Sequence, residues 1–330
     1  FGNFILGIEG MTLKYFIILF AISVFAVMLG LLFSQIFSSK SVLFVIIPVF
    51  LVFQYLFSGV PIKFDNFPKS LKHEEYVPLI ADFSVARWGF EALAVEQFSW
   101  NNYEKHFFAV EKEIISANNK YKLLIPKLIS LLEDCEKYFR PQYDVKKIEN
   151  NLNILQNEIP LLWTDENRKP FEYINQLNLK DFSPEVSNSC NNYLEFLKWQ
   201  NKSLKKAKTK EYNEISSSLI NSIGMYEVNR LKSRNYNQEL AKIVSNEEAT
   251  VSMINSKNRL ILKKDPIYFD ARSKFGRTHF FSPNKKILEN YYNTFLFNIL
   301  IICLFSFLVY LILLSEIVPK TIERISRFYY

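Results

Sequence analysis

Three stretches of the chain carry no charged residue: Tyr15–Ser39, Ser41–Ile62 and Asn290–Ser315, of 25, 22 and 26 residues. A helix that crosses a bilayer needs roughly 20 apolar residues, because each adds about 1.5 Å across a core of about 30 Å. All three stretches meet that requirement, and soluble core helices seldom run this far without a charge. The mean hydropathy of +0.01 conceals the division. Only Glu9, Lys14 and Lys40 are charged in the first 62 residues, and almost all remaining charge lies between Lys63 and Glu289. An ordinary soluble enzyme, a disordered chain, a collagen-like fibre and a protein of membrane helices alone are all excluded. The expectation is a membrane protein with a sizeable aqueous domain.

Ser38, Ser39 and Lys40 separate the first two stretches, so the pair is expected to form a tight helical hairpin, with Pro48 inside its second arm. Basic residues in short flanks set orientation. Lys40 at the hairpin turn and Lys320, Arg324 and Arg327 after the third stretch all belong on the cytoplasmic side in one consistent topology. Lys63–Glu289 is then extracytoplasmic, and the expected location is the inner (cytoplasmic) membrane. Residue 1 is Phe and the start is apolar, with no basic region leading to a small-residue cleavage site. The chain is therefore expected to be part of a longer polypeptide.

The polar region reads as helical. From Asn101 to Glu289 the only glycines are Gly224 and Gly276. Ile148, Leu152, Leu155 and Ile159 mark one stripe of an amphipathic helix. Ser183-Pro184-Glu185 is a helix start: a hydroxyl cap, Pro in the first turn, then an acid at the positive dipole end. Val186, Cys190, Tyr193, Leu197 and Leu204 fall on roughly one face beyond it, and Ile215, Leu219, Ile223 and Tyr226 continue the pattern. One or two long helices are expected from about Pro184 to Ser245, with turns at Phe139–Tyr143 and Trp163–Pro170. The fold class is all-α. Its expected parts are a membrane region over 1–62, an interface or re-entrant helix region over 63–100, and a helical extracytoplasmic bundle over 101–289. The last span over 290–315 and a cytoplasmic tail over 316–330 complete it.

Catalytic chemistry is missing from the sequence. No Gly is followed by Lys, so a phosphate-binding P-loop is excluded, and no G-x-S-x-G is present. His73, His106 and His279 are far apart and have no metal-ligand spacing. No catalytic residue, metal ligand or cofactor is expected in this chain. Cys135 and Cys190 both lie in the polar region and can pair if it faces an oxidising compartment, while Cys303 lies in a span. Lys205, Lys206, Lys208 and Lys210 form a basic run that reads either as a patch for anions or as a solvated helix face, with Glu211 and Glu214 balancing it. No nucleic acid is expected as a partner.

One segment stands apart. Val77–Phe98 is apolar yet contains Arg87 and Glu91, which are four apart and share a helix face where they can pair. Trp88 suits a membrane interface. Two readings stand for this helix: one lying in or dipping into the outer interface, and a surface helix of the aqueous domain. The sequence reads Phe57-Ser58-Gly59, then Arg87-Trp88-Gly89-Phe90-Glu91-Ala92-Leu93, then Glu96-Gln97-Phe98. In order and spacing this resembles the permease half of ABCG-type (White-like, type-2) ABC exporters, in which a span ending in Phe-Ser-Gly precedes a re-entrant Arg-aromatic-Gly/Ala-aromatic-Glu-Ala-Leu element that ends near Glu/Asn-x-Phe. The resemblance covers roughly residues 1–100 and, by position, the last span. Asp265-Pro266-Ile267 and Phe280-Phe281-Ser282-Pro283 are weakly similar to large-loop bacterial members. Two departures are plain. The leucine pair that closes the exit in relatives is Val60-Pro61, and Ser84-Val85-Ala86 stands where a Pro often precedes the Arg motif.

The resemblance implies the transmembrane part of an ATP-driven exporter. Phe1–Ile8 would be the tail of a third span, and the stretches above the fourth, fifth and sixth. ATP and Mg would bind a nucleotide-binding domain outside this chain, and the permease would work as a homodimer or paired half in the lipid bilayer. Arg87, Trp88, Glu91 and Glu96 would place the re-entrant helix and couple it to the last span, or brace it without switching. Gln35, Gln54, Ser58, Val60 and Pro61 are candidates for the substrate path, and the three polar ones read equally as inter-helix hydrogen bonds. The alternative function is a membrane-anchored receptor or scaffold with a helical extracytoplasmic interaction domain.

Overall fold

The computed structural model describes residues 9–37, 39–137, 144–162 and 169–315. The expected turns over 139–143 and most of 163–170, the first eight residues and the basic tail after Ser315 lie outside them. In chain order the helices are α1 (Thr12–Ile36), α2 (Lys40–Leu56), α3 (Val85–Ser99), α4 (Phe108–Asn119), α5 (Ile125–Glu136), α6 (Val145–Glu158) and α7 (Pro184–Ile223). α8 (Met225–Asn235) and α9 (Gln238–Val244) precede the hairpin β1 (Met253–Ser256) and β2 (Arg259–Leu262). The hairpin β3 (Asn284–Ile287) and β4 (Asn290–Asn293) leads into α10 (Thr294–Ser315). The architecture is mostly helical, as expected, with two short antiparallel hairpins that the all-α reading did not contain. Positive φ at both Lys257 and Asn258 supplies the two-residue turn of the first hairpin.

Two compact units divide the chain. The first comprises residues 1–105, 229–244 and 270–330. Within it α10 packs against α1 and α3. Its core is built from Ile18, Ala21, Phe25 and Leu32 of α1, Val85, Trp88 and Ala92 of α3, and Phe295, Ile302 and Val309 of α10. The α10 positions recur every seven residues, a stripe narrow enough to leave the rest of that helix uncovered. Gly89 sets the approach of α3 to α1, because a Cβ there would sit 2.6 Å from Ile22 Cδ1. α1 and α10 are both long and apolar enough to cross a membrane. α2 is apolar but only 17 residues long, about 26 Å at helical rise. The 22-residue charge-free stretch is longer than its helix because the chain turns at Ser58-Gly59: the Ser58 hydroxyl donates to Tyr55 O at 2.7 Å and Gly59 takes φ 81°. Where α1 ends, Phe33 meets Phe50 of α2 edge to face, with centroids 5.7 Å apart. The last apolar stretch is also trimmed. Asn290–Asn293 pairs with Asn284–Ile287, and the helix starts at Thr294, with Asn293 Oδ1 accepting from Phe295 N at 2.7 Å.

The second unit comprises residues 106–228 and 245–269. α4 and α5 run on through a π-helical turn, Lys120–Leu124, just before Pro126, whose missing N–H a regular helix would leave as a gap. The expected stripe of α6 is buried throughout: Ile148, Leu152, Leu155 and Ile159 pack with Leu128 and Leu132 of α5. Ser183 caps α7 as expected, its hydroxyl accepting from Val186 N at 3.3 Å. Val186, Cys190, Leu194 and Leu197 of α7 close the same core. The one or two long helices expected from Pro184 to Ser245 are three, broken at Gly224, which takes φ 84°, and again after Asn235. Beyond Asn201 the α7 stripe is half-buried at Leu204, Ile215 and Leu219, and Ile223 and Tyr226 are exposed. Cys135 and Cys190 are free thiols buried in this core. Lys208 bridges Glu113 of α4 at 2.8 Å and Glu211 at 2.9 Å, so the basic run is partly neutralised by its own and a neighbouring helix.

Candidate functional site

The first unit holds a cluster of buried charges around α3. Ser84 starts that helix, its hydroxyl accepting from Arg87 N at 3.3 Å. One turn in, Arg87 is 2% exposed and Glu91 is 0% exposed. Arg87 Nη1 donates to Glu91 Oε2 at 3.0 Å, the pair expected from their spacing. Arg87 Nη2 pairs with Asp82 in the helical turn Leu79–Asp82, and the guanidinium lies 3.5 Å from the centre of the Trp88 ring. Trp88 Nε1 donates to Asp82 O at 2.8 Å, fixing the ring.

Three partners come from far along the chain. Lys285 of β3, 1% exposed, donates to Glu91 Oε1 at 2.6 Å and to Thr278 Oγ1 at 2.7 Å. Asn298 of α10 donates to Glu91 Oε2 and to Trp88 O, both at 3.0 Å. Arg277 lies 3.8 Å from Asp82 Oδ2 and donates to Val77 O at 2.9 Å. Glu91 is thus the hub that joins α3, the β3 hairpin and the last apolar helix. Charges this deep are stable only when paired and hydrogen-bonded, and removing one partner leaves the others uncompensated. Burial alone would raise the Glu91 carboxyl; Lys285 and Arg87 outweigh it and hold the group below the ordinary carboxylate range.

The other expected positions divide. Gln54 is buried and works on α3: its Oε1 accepts from Ala86 N at 3.2 Å, and the Ser84 hydroxyl donates to its backbone O at 3.0 Å. Ser58 is buried in the turn after α2. Glu96, one turn past the hub, pairs with Lys14 at the start of α1, beside a 2.5 Å bond from Tyr15 OH to Gln97 Oε1. Gln35, Val60 and Pro61 are exposed and take no part in the cluster. Among the described residues no group of three or more His, Cys, Asp or Glu is placed to hold a metal ion.

The segments quoted for the resemblance meet through aromatic rings. Phe57 packs on Phe67, Phe67 on Phe64, and Phe64 on Phe280, with centroids 5.7, 5.4 and 4.8 Å apart. Phe281 then reaches Phe90 of α3 at 5.9 Å. Gly59 makes this possible, since a Cβ there would sit 2.7 Å from Phe280 Cε1. The Phe-Ser-Gly turn, the Arg-to-Leu helix and the 280–283 stretch are therefore one packed assembly.

Sequence reasoning found Arg87 and Glu91 but missed Asp82, Thr278, Lys285 and Asn298. Asn298 carried the one usable signal: a polar residue on the α10 stripe between Phe295 and Ile302. Compared with known proteins, the chain matches no family model, no curated protein and no solved structure.

Proposed function

We propose that this chain is the membrane part of an ATP-driven exporter of ABCG type, with ATP and Mg handled by a nucleotide-binding domain outside it. The observation that carries this reading is the Glu91 hub. An exporter must transmit a movement of its intracellular side to the element that closes the substrate path. A helix whose buried Arg87–Glu91 pair is bonded to the head of the last apolar helix moves with that helix. The Arg87–Glu91 pair lies in the motif that resembles a re-entrant element, and Asn298 lies in the helix that follows the long polar region. In this reading α1, α2 and α10 lie in the membrane, α3 sits at its outer interface, and the helical second unit is extracytoplasmic. The permease works as a dimer or paired half, with Gln54 and Ser58 holding the path's wall in place rather than touching cargo.

The test is ATPase activity of the intact gene product in lipid, beside a form lacking the region upstream of this chain. Expected is activity that disappears with that region and falls at least about ten-fold in Glu91→Gln, since one tenfold step corresponds to about 1.4 kcal/mol of transition-state coupling. Well-folded full-length protein that neither binds nor hydrolyses nucleotide would replace this reading with the receptor or scaffold.

A further inference from the structure

A cavity of about 310 Å³ opens beside the charge cluster, within the first unit. Its inner end is lined by Arg87, Arg277 and Lys285 against one carboxylate, Asp82. Counting Glu91 behind them, the cluster holds three cations and two carboxylates, so one positive charge is left over. Arg87 is committed to Asp82 and Glu91, whereas Arg277, its side chain 33% exposed, donates among the described residues only to Val77 O and lies 3.8 Å from Asp82 Oδ2. The other wall is apolar. Phe297, Ile301, Leu304, Phe305 and Leu308 form a stripe along α10, and Leu304 and Leu308 are exposed beyond it. Gly276 lets the 275–278 segment lie on that helix, because a Cβ there would sit 2.9 Å from Phe297 Cζ. The cavity therefore has a cationic head and an apolar run of about 16 Å, eleven steps of helical rise from Phe297 to Leu308.

We propose that this cavity binds an anionic membrane lipid, its phosphate accepting from Arg277 and its first methylenes lying along Ile301 and Phe305. A soluble anion would gain the head but leave the apolar wall bare, and a neutral lipid would fill the wall but leave the surplus positive charge beside Arg277 unmet. Basic pockets beside membrane helices are suited to anionic head groups on the same physical grounds. The site rests on α10 lying in the membrane. It gives the Glu91 hub a ligand: lipid bound there would touch both α3 and the last span.

Trp88 lines the cavity and reports on it. In the full chain, Trp100, Trp163 and Trp199 are changed to Phe and the protein is placed in phosphatidylcholine nanodiscs. Phosphatidylglycerol or phosphatidylcholine with brominated acyl chains is then added. Expected is quenching of Trp88 about five-fold more effective by the anionic lipid, the equivalent of one additional cation near a head group. Arg277→Gln should reduce that preference towards unity while quenching by phosphatidylcholine is unchanged, and Arg277→Lys should keep most of it. Equal quenching by the two lipids, or a preference that survives Arg277→Gln, would overturn the site. Free glycerol phosphate abolishing the preference would make it a soluble-anion site instead, and absence of quenching by either lipid would overturn both the site and the membrane placement of α10.

Discussion

Glu91 and Glu158 are both fully buried carboxylates, yet they are built differently. Glu158 ends α6 in the second unit and accepts from Arg259 Nε at 2.7 Å and Leu260 N at 3.1 Å. Arg259 is 30% exposed, so its charge keeps much of its water. Glu158 pins a hairpin to a helix, and its partner can rehydrate if the pin is lost. Glu91 has no partner at the surface. Its cations, Arg87 and Lys285, are themselves buried, and its amide partner lies on the last apolar helix. The same residue type therefore serves as a local tether in one unit and as a structural hub in the other.

The comparison breaks first at these two residues. Glu91→Gln is expected to destabilise the chain by about 4 kcal/mol, because buried Lys285 loses its counter-charge and buried Arg87 keeps only Asp82. Glu158→Gln should cost about 1–2 kcal/mol, since the amide oxygen still accepts from Leu260 N and Arg259 can turn to water. Equilibrium unfolding in detergent micelles measures both, and equal losses would remove the distinction. Acid sharpens it. Glu91 has a folded pKa below its unfolded value, so its contribution is fully present above the unfolded carboxylate pKa of about 4.3 and is lost as pH falls through the folded value. The Glu91→Gln protein should show a flatter loss of stability over that acid range.

The second unit depends instead on its apolar interior. Leu155→Ala should cost about 3 kcal/mol through lost contacts and an unfilled cavity. The thiols there report the same packing. Burial pushes Cys135 and Cys190 each up to about 12. At neutral pH neither should react with a maleimide until the unit unfolds, and rapid labelling of native protein would show that this core is open. A smaller effect is expected at the α7 cap, where Ser183→Ala should cost about 1 kcal/mol in the same unfolding measurement.

What the sequence disclosed followed the range of the interactions. The α6 stripe, the Ser183-Pro184 start of α7 and the Arg87–Glu91 pair are all local, and periodicity or capping chemistry exposes them. Lys285 and Asn298 meet Glu91 across 194 and 207 residues, a distance no period can register. The hairpins were hidden for a different reason. Asn290–Asn293 joins an apolar run, so composition assigned it to the span, whereas the turn at Leu288 and pairing with β3 decide its backbone. Gly224 was visible as a residue but not as a break, because a lone glycine inside a helical pattern is often tolerated.

The proposed coupling stands on the bond from the last apolar helix to the hub. Its most direct measurement is a double-mutant cycle between Glu91→Gln and Asn298→Ala, read by equilibrium unfolding of the intact protein in lipid. Expected is an interaction of about 1–3 kcal/mol between the two sites, as for residues sharing one buried network. Additive losses, with the double variant equal to the sum of the singles, would contradict a mechanical link between α3 and α10.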